Sequence, residues 1–343
     1  MSAILYFILI PIIIYFTNYV VTEFQILKNY FVKDNIPYTG SFILTISLLF
    51  ILRDNLSLNF IYFFLLIVAV LFTQKISIKL GNLKIIIQFF AITILVIFFK
   101  LDGYIQTLNI TSVRIFFLDF FLRFEFFSYL FVITFIILNI FGTKKIDNLN
   151  GLSVGYFFIL SFVAFLISPD SFKNKFSLII SDNQILLFLI TTFFLTIFSM
   201  LNKIKVGETG LYLFGTILPI YTILMYKHTI NISPFFILLM FWYPCFELIL
   251  SFVRKIYFKF RSDVIINESF HDLLNIYLEK KFSKSKFQSN NFTIIIINLF
   301  NLLSIFIGSL NFFKPKIVIF LLVTNIVVYM ICYLRLIKFR LNN

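Results

Sequence analysis

Acidic residues are scarce in this chain. Fifteen Asp and Glu stand against 29 Lys and Arg in 343 residues, and charged residues of both signs make up only 13%. Ordinary soluble domains carry about 25% charged and about 45–50% apolar residues. Here 61% are hydrophobic and the mean hydropathy is +1.01. Length alone suggests two soluble domains, and this composition excludes them. Histidine and cysteine are scarce too, with two of each. Cys245 and Cys332 both fall in apolar runs and no CxxC occurs, which argues against a structural zinc site or a disulfide framework. The net charge of +14 would point to nucleic acid in a soluble protein. With so little polar surface, no nucleic-acid partner is expected. In a membrane protein the same excess marks the cytoplasmic loops.

What is present is a succession of apolar runs. Crossing a hydrocarbon core of about 30 Å takes roughly 20 residues. Runs at Ile4–Val21, Tyr38–Leu52, Leu58–Phe72, Ile85–Phe99, Phe126–Phe141, Leu152–Ile167, Ile185–Leu201, Leu211–Tyr226, Pro234–Val253, Phe292–Leu310 and Ile317–Leu334 predict an all-α integral membrane protein. It is one polytopic domain over residues 1–343, a bundle of about 11 (10–11) transmembrane helices. No Lys or Arg precedes the first run, so it reads as a retained helix rather than a signal peptide. Arg114–Glu125 is amphipathic and either extends the fifth span or lies in the interface.

Numbering the connections alternately puts loops 22–37, 73–84, 142–151, 202–210 and 254–291 on one face with the tail 335–343. That face holds 20 of the 29 Lys and Arg. The positive-inside rule places it in the cytoplasm, with the N-terminus outside and the C-terminus inside. With its eight acids, this face carries +12 of the net charge. Anionic lipid headgroups or an anionic cytoplasmic substrate are its natural partners. Segment 254–291 is the largest of these loops. It reads either as a cap over a site or as a solvated loop with one short helix.

Six of the ten glycines fall in two short stretches on that face. The first runs Gly142-Thr143-Lys144-Lys145-Ile146-Asp147-Asn148-Leu149-Asn150-Gly151, with Gly155 beyond it. The second runs Lys203-Ile204-Lys205-Val206-Gly207-Glu208-Thr209-Gly210, with Gly215 beyond it. Each combines one acid, nearby lysines and glycines at a helix start. Carboxylate for Mg²⁺, lysine for phosphate oxygen and free backbone N–H groups for an anion are what a metal-bound diphosphate needs. The plainer alternative is a pair of tight cytoplasmic turns.

Further pieces follow in order on the same face. They are Tyr243-Pro244-Cys245-Phe246-Glu247 with Arg254 after it, Ser269-Phe270-His271-Asp272-Leu273-Leu274, and Ile36-Pro37-Tyr38-Thr39-Gly40 near the first loop. With Ile146–Leu152 and Gly207–Gly210, the set resembles the polyprenyl-phosphate N-acetylhexosamine-1-phosphate transferase family, glycosyltransferase family 4. The resemblance covers most of the chain. It implies a multi-pass enzyme of the bacterial inner membrane that moves a sugar-1-phosphate from a UDP-N-acetylsugar to polyprenyl phosphate, with Mg²⁺ or alternatively Mn²⁺ as cofactor. A homodimer would follow family precedent.

On that resemblance the catalytic candidates are Asp147, Glu208 and His271. Glu208 is a metal ligand or a solvated turn acid. Asp147 is a metal ligand, a nucleotide contact or a helix cap. Lys144, Lys145, Lys203 and Lys205 neutralise diphosphate or serve as positive-inside anchors. Asn150 contacts sugar or nucleotide, or caps a helix, and Gly207 offers its backbone to the substrate. His271 contacts diphosphate or uridine, or is incidental. Glu247, inside the ninth run, pairs with a lysine of the site, borders the lipid groove or makes a polar contact between helices.

There are departures. Thr73 and Gln74 stand where the family carries an acidic pair, Glu208 replaces an Asp, and one histidine stands where the family has three. Two further readings follow, a catalytically degenerate member of the same fold and a lipid-oligosaccharide flippase or transporter.

Overall fold

The computed structural model describes residues 3–23, 32–33, 36–51, 93, 113–167, 182–228, 232–257, 268–282 and 285–342. Among these residues the chain forms twelve helices and one small ribbon. In order they are α1 (Ala3–Glu23), β1 (Val32–Lys33), β2 (Ile36–Pro37), α2 (Gly40–Ile51), α3 (Phe116–Leu122) and α4 (Glu125–Ile146). Next come α5 (Leu152–Ile167), α6 (Asp182–Met200), α7 (Gly207–His228) and α8 (Pro234–Met240). The chain closes with α9 (Trp242–Tyr257), α10 (Phe270–Phe282), α11 (Lys286–Leu310) and α12 (Pro315–Asn342). The ribbon is antiparallel, with Val32 opposite Pro37 and Lys33 opposite Ile36.

Four helical stretches are long and apolar enough to cross a membrane: Leu5–Glu23, Glu125–Ile146, Lys286–Leu310 and Pro315–Leu341. The protein is an all-α membrane protein on that basis. Leu152–Ile167, Leu186–Met200 and Gly210–Tyr226 are apolar but shorter. The expected runs at 58–72 and 85–99 lie outside the described residues, apart from Thr93.

One expected span is two helices. Pro234–Val253 reads as a single run, yet α8 and α9 meet at 71° around Phe241. The cause is Pro244. It has no N–H to give the carbonyl of Met240, and its ring excludes that carbonyl from a continuous helix. The Tyr156 hydroxyl donates to the Met240 carbonyl instead, at 2.6 Å. The basic segment 254–291 also differs from a loop, because its described residues are mainly helical. α9 runs to Tyr257, α10 occupies 270–282, and α11 starts at Lys286 behind an N-cap at Ser285. Arg114–Glu125 holds a separate short helix, α3, which ends at Leu122 with Arg123 as its C-cap before α4 begins.

Packing explains which helices become neighbours. α4 lies between α7 and α9, α5 between α6 and α11, and α12 packs on α8 and α10. With hydrocarbon outside, helices associate through close packing, and small residues allow it. A Cβ on Gly215 would come within 2.9 Å of the Ile140 Cα. A Cβ on Gly142 would sit 2.7 Å from the Pro244 carbonyl oxygen. These two glycines therefore set the α4–α7 and α4–α9 separations. The centre is filled by wholly buried rings, among them Tyr156, Phe157, Phe214, Phe236, Phe241 and Tyr243. Phe157 and Phe214 stack at 4.7 Å.

Candidate functional site

The turn between α4 and α5 carries the first candidate acid. Asp147 takes the C-cap position of α4, and Ser153, in the first turn of α5, donates its hydroxyl to the carboxylate. Loss of water around this half-buried carboxyl raises its pKa, and the negative charge of Glu208 adds to that. The Ser153 hydrogen bond and the Lys205 charge oppose it, and the balance is pushed up to about 6. The turn closes at Gly151, whose φ of +102° suits glycine.

Asn150 of the same turn works as a clip. Its amide nitrogen lies 2.9 Å from the Ser199 carbonyl, 3.0 Å from Asn202 Oδ1 and 3.1 Å from the Ile204 carbonyl. This ties the α4–α5 turn to the α6–α7 loop. The amide nitrogen of the candidate substrate contact is thus committed within the protein.

That loop is held from the other side by the ribbon. Lys205 N–H donates to the Pro37 carbonyl at 2.9 Å, and Gly40 N–H donates to the Lys205 carbonyl at 3.2 Å. Asn18 donates to the Lys203 carbonyl at 3.2 Å and accepts from the Thr39 hydroxyl. The Lys205 ammonium lies 5.6 Å from the centre of the Tyr38 ring, and Lys203 is exposed. Gly207 then starts α7 with φ +67°. Glu208 follows in the first turn, where the helix dipole favours an acid. The ammonium of Lys144, in the last turn of α4, pairs with it at 3.0 Å.

The third segment is the start of α10. Asp272 caps the start of α10, its carboxylate accepting both the Ser269 N–H and the Ser269 hydroxyl. Asp272 also accepts from the Asn148 side chain at 3.1 Å, which joins this segment to the Asp147 turn. His271 is wholly buried and not a lone loop residue. Its Nε2 lies 2.9 Å from the Ser269 hydroxyl and its Nδ1 lies 3.4 Å from the Tyr243 hydroxyl. Because the Ser269 proton goes to Asp272, a neutral ring protonated on Nε2 satisfies the whole network. Burial lowers the pKa of His271, with Asp272 and Glu247 opposing and Lys145 and Arg254 reinforcing the shift.

Glu247 has a partner that is not a lysine of the site. Its carboxylate accepts from Arg254 Nη2 at 2.9 Å and from the Tyr329 hydroxyl. Arg254 lies two turns further along α9, so both side chains occupy one face of that helix.

Direct contacts therefore gather four of the motif segments at one end of the helices: 36–40, 147–151, 205–210 and 269–272. Thr73 and Gln74 lie outside the described residues. Among the described residues no three His, Cys, Asp or Glu side chains form a metal-binding group. Asp147 and Glu208 lie near enough for the Glu208 charge to act on the Asp147 carboxyl. Hard oxygen donors of this kind suit Mg²⁺, which commonly takes one or two carboxylates and completes its shell with phosphate oxygens and water. Ser153, Asn148 and Asp272 are site residues that reading the sequence missed. The i to i+3 Ser–Asp cap signature was visible for Asp272, whereas Asn148 reaches it across 124 positions.

Fold and site define an all-α membrane protein with paired carboxylates and lysines gathered at one end of its helices. No model of a known family matches the chain. A search of curated proteins finds no match either.

Proposed function

We propose that this protein is a membrane transferase that moves a sugar-1-phosphate from a UDP-N-acetylsugar to polyprenyl phosphate, releasing UMP. The observation that carries the reading is the junction of Asp147, Lys205, Glu208 and Lys144. Two carboxylates interact there with two ammonium groups where α4 ends and α7 begins. The proposal includes eleven spans, the N-terminus outside and this end of the helices in the cytoplasm of a bacterial inner membrane. A soluble nucleotide sugar and a lipid phosphate would meet there.

In the reaction, an oxygen of the lipid phosphate attacks the β-phosphorus of the UDP-sugar. The new P–O bond forms as the bond to UMP breaks, and the electron pair leaves with the UMP phosphate. The attacking phosphate is ionised near neutral pH, so positioning and charge neutralisation carry the catalysis. Asp147 and Glu208 would hold Mg²⁺, which when bound neutralises diphosphate charge and orients its oxygens. Lys144, released from Glu208, and Lys205 would neutralise phosphate oxygens. Lys145 and Lys203 would supply further positive charge, and Gly207 presents backbone at the N-terminus of α7. His271, buried and neutral, supports the wall of the site instead of donating charge to it.

The absence of the family's acidic pair at Thr73 and Gln74 favours a second reading, a degenerate member that binds without turning over. The 71° break between α8 and α9 is a feature a transporter would share. Pro244 and the Tyr156 hydrogen bond account for it as packing.

The test is direct. Purified protein with Mg²⁺, polyprenyl phosphate and radiolabelled UDP-GlcNAc or its relatives yields a lipid-linked product and UMP. Failure with every UDP-N-acetylsugar, alongside retained nucleotide binding, removes the transferase reading and leaves the degenerate one.

A further inference from the structure

Among the described residues a second polar assembly, buried away from the Asp147–Glu208 junction, surrounds Arg254. Its side chain is 7% exposed and that of Glu247 is 0% exposed. Burying an ion pair costs desolvation, and apolar replacements of similar shape are often as stable. Stability alone is therefore a poor account of this pair, and its geometry gives a better one.

Arg254 reaches three elements with one fork. Nη2 donates to Glu247 on its own helix at 2.9 Å. Nη1 donates to the Tyr333 hydroxyl of α12 at 2.9 Å and to the Glu268 carbonyl at 3.2 Å. Glu268 immediately precedes Ser269, the residue that caps α10. The guanidinium also lies 5.3 Å from the centre of the Tyr333 ring. Glu247 is used on both oxygens, the second accepting from Tyr329. Tyr329 in turn packs its ring, tilted by 39°, on that of Phe270, the first residue of α10, at 4.7 Å between ring centres. Arg340 binds the Glu268 carboxylate at 3.3 Å from the end of α12. Three of these contacts land on residues 268–270: Arg254 and Arg340 on Glu268, and Tyr329 on Phe270.

We propose that Arg254 is a positioning residue. It docks the first turn of α10 so that Asp272 meets Asn148 of the α4–α5 turn, and Glu247 holds the guanidinium in that pose. The chain of contacts is continuous. Arg254 fixes Glu268, Ser269 follows it, Asp272 caps Ser269, and Asp272 receives Asn148 next to Asp147. Lysine cannot reproduce this, because a single ammonium nitrogen lacks the planar fork that spans Glu247, Tyr333 and the Glu268 carbonyl. The catalytic consequence rests on the transferase reading above, whereas the docking itself does not.

The test uses the full chain in lipid nanodiscs. Arg254→Lys and Glu247→Gln are compared with wild type by amide hydrogen exchange and by turnover of UDP-GlcNAc with polyprenyl phosphate. In both variants, exchange in residues 268–275 accelerates by about tenfold or more while α6 exchanges as in wild type. The kcat falls about tenfold at temperatures well below the thermal midpoint, the size expected when a site is displaced by roughly an ångström or less, and the midpoint itself drops in Glu247→Gln, which leaves the Arg254 charge buried without its partner. Wild-type exchange at 268–275 in Arg254→Lys overturns the proposal. A loss of turnover that only follows global unfolding also overturns it.

If Arg254→Lys loosens α6 as well, Tyr333→Phe decides the matter, since it deletes one hydroxyl and keeps the ring. Faster exchange confined to 268–275 supports docking, and a wild-type pattern rejects it. If wild-type protein transfers no sugar phosphate at all, the proposed function fails while the exchange result still decides the docking.

Discussion

Lys144 closes on Glu208 at 3.0 Å, joining the last turn of α4 to the first turn of α7. Both side chains are more than two-fifths exposed. A pair so open to solvent contributes about 0–1 kcal/mol to stability, so its value lies in where it holds the two charges. Glu208→Gln keeps the shape and removes the charge. It is expected to leave the thermal midpoint almost unchanged while Mg²⁺-dependent turnover falls about 100-fold, as for loss of one charge-stabilising group. Turnover against Mg²⁺ concentration checks it, and an unchanged curve takes Glu208 out of the site.

Asp147 makes pH a second handle. Its carboxyl is pushed from 3.8 up to about 6 in the fold, chiefly by burial. In that interval the folded protein binds more protons than the unfolded chain, so stability falls as pH rises from about 4 to about 6. The penalty is absent below the lower value and complete above the upper one. Asp147→Asn removes it, so the variant gains thermal stability relative to wild type above pH 6 and loses that advantage near pH 4. The gain is at most about 3 kcal/mol, less what water reaching the half-buried carboxylate screens. Catalysis moves the opposite way, because the ionised carboxylate is the metal ligand. Turnover is expected to rise with pH through a value near 6, and added Mg²⁺ shifts that limb to lower pH by competing with the proton. A pH profile at two Mg²⁺ concentrations reads both effects.

Much of this was legible before any coordinates, for physical reasons. α5 begins where its apolar run does, at Leu152, because Gly151 punctuates the start. The break at Phe241 was hidden by hydropathy, which is blind to a missing N–H. Pro244 was the signal that could have exposed it. The Glu247–Arg254 spacing of seven was equally visible, since two helical turns bring such residues to one face. The roles of Tyr329 and Tyr333 were not, because they arrive from α12, more than seventy positions away. Asn150 shows the same limit. Its residue type fits a sugar contact as well as a clip, and only the arrival of the 199–204 segment distinguishes them.

His271 is expected to behave as a buried neutral base. Burial lowers its pKa, so the folded protein binds fewer protons than the unfolded chain once the pH drops below the ordinary value of 6.5. Stability then declines on acidification through that value and levels off at the lower, folded one. Above 6.5 the residue imposes no such cost. His271→Gln keeps hydrogen-bonding capacity without titrating. The slope of its thermal midpoint between pH 7 and pH 5 should therefore be shallower than that of wild type. Equal slopes would show that the ring is not held neutral by its surroundings.

The last prediction separates structure from substrate contact at Asn150. Replacing it by Ala leaves the carbonyls of Ser199 and Ile204 without this donor. The Ser199 carbonyl keeps the Asn202 N–H, so the main loss is at Ile204, where an unsatisfied buried group costs about 1–3 kcal/mol before water relieves it. Asn150→Asp is worse, since it removes both N–H donors and sets a negative charge against carbonyl oxygens. Both variants should lower the thermal midpoint, Asp more than Ala, and both should loosen amide exchange across 199–206. A clip that also shapes the site predicts weaker nucleotide binding in proportion to that loosening. If binding of the UDP-sugar falls by more than tenfold while exchange across 199–206 stays at the wild-type rate, the side chain contacts the ligand directly and the clip is secondary.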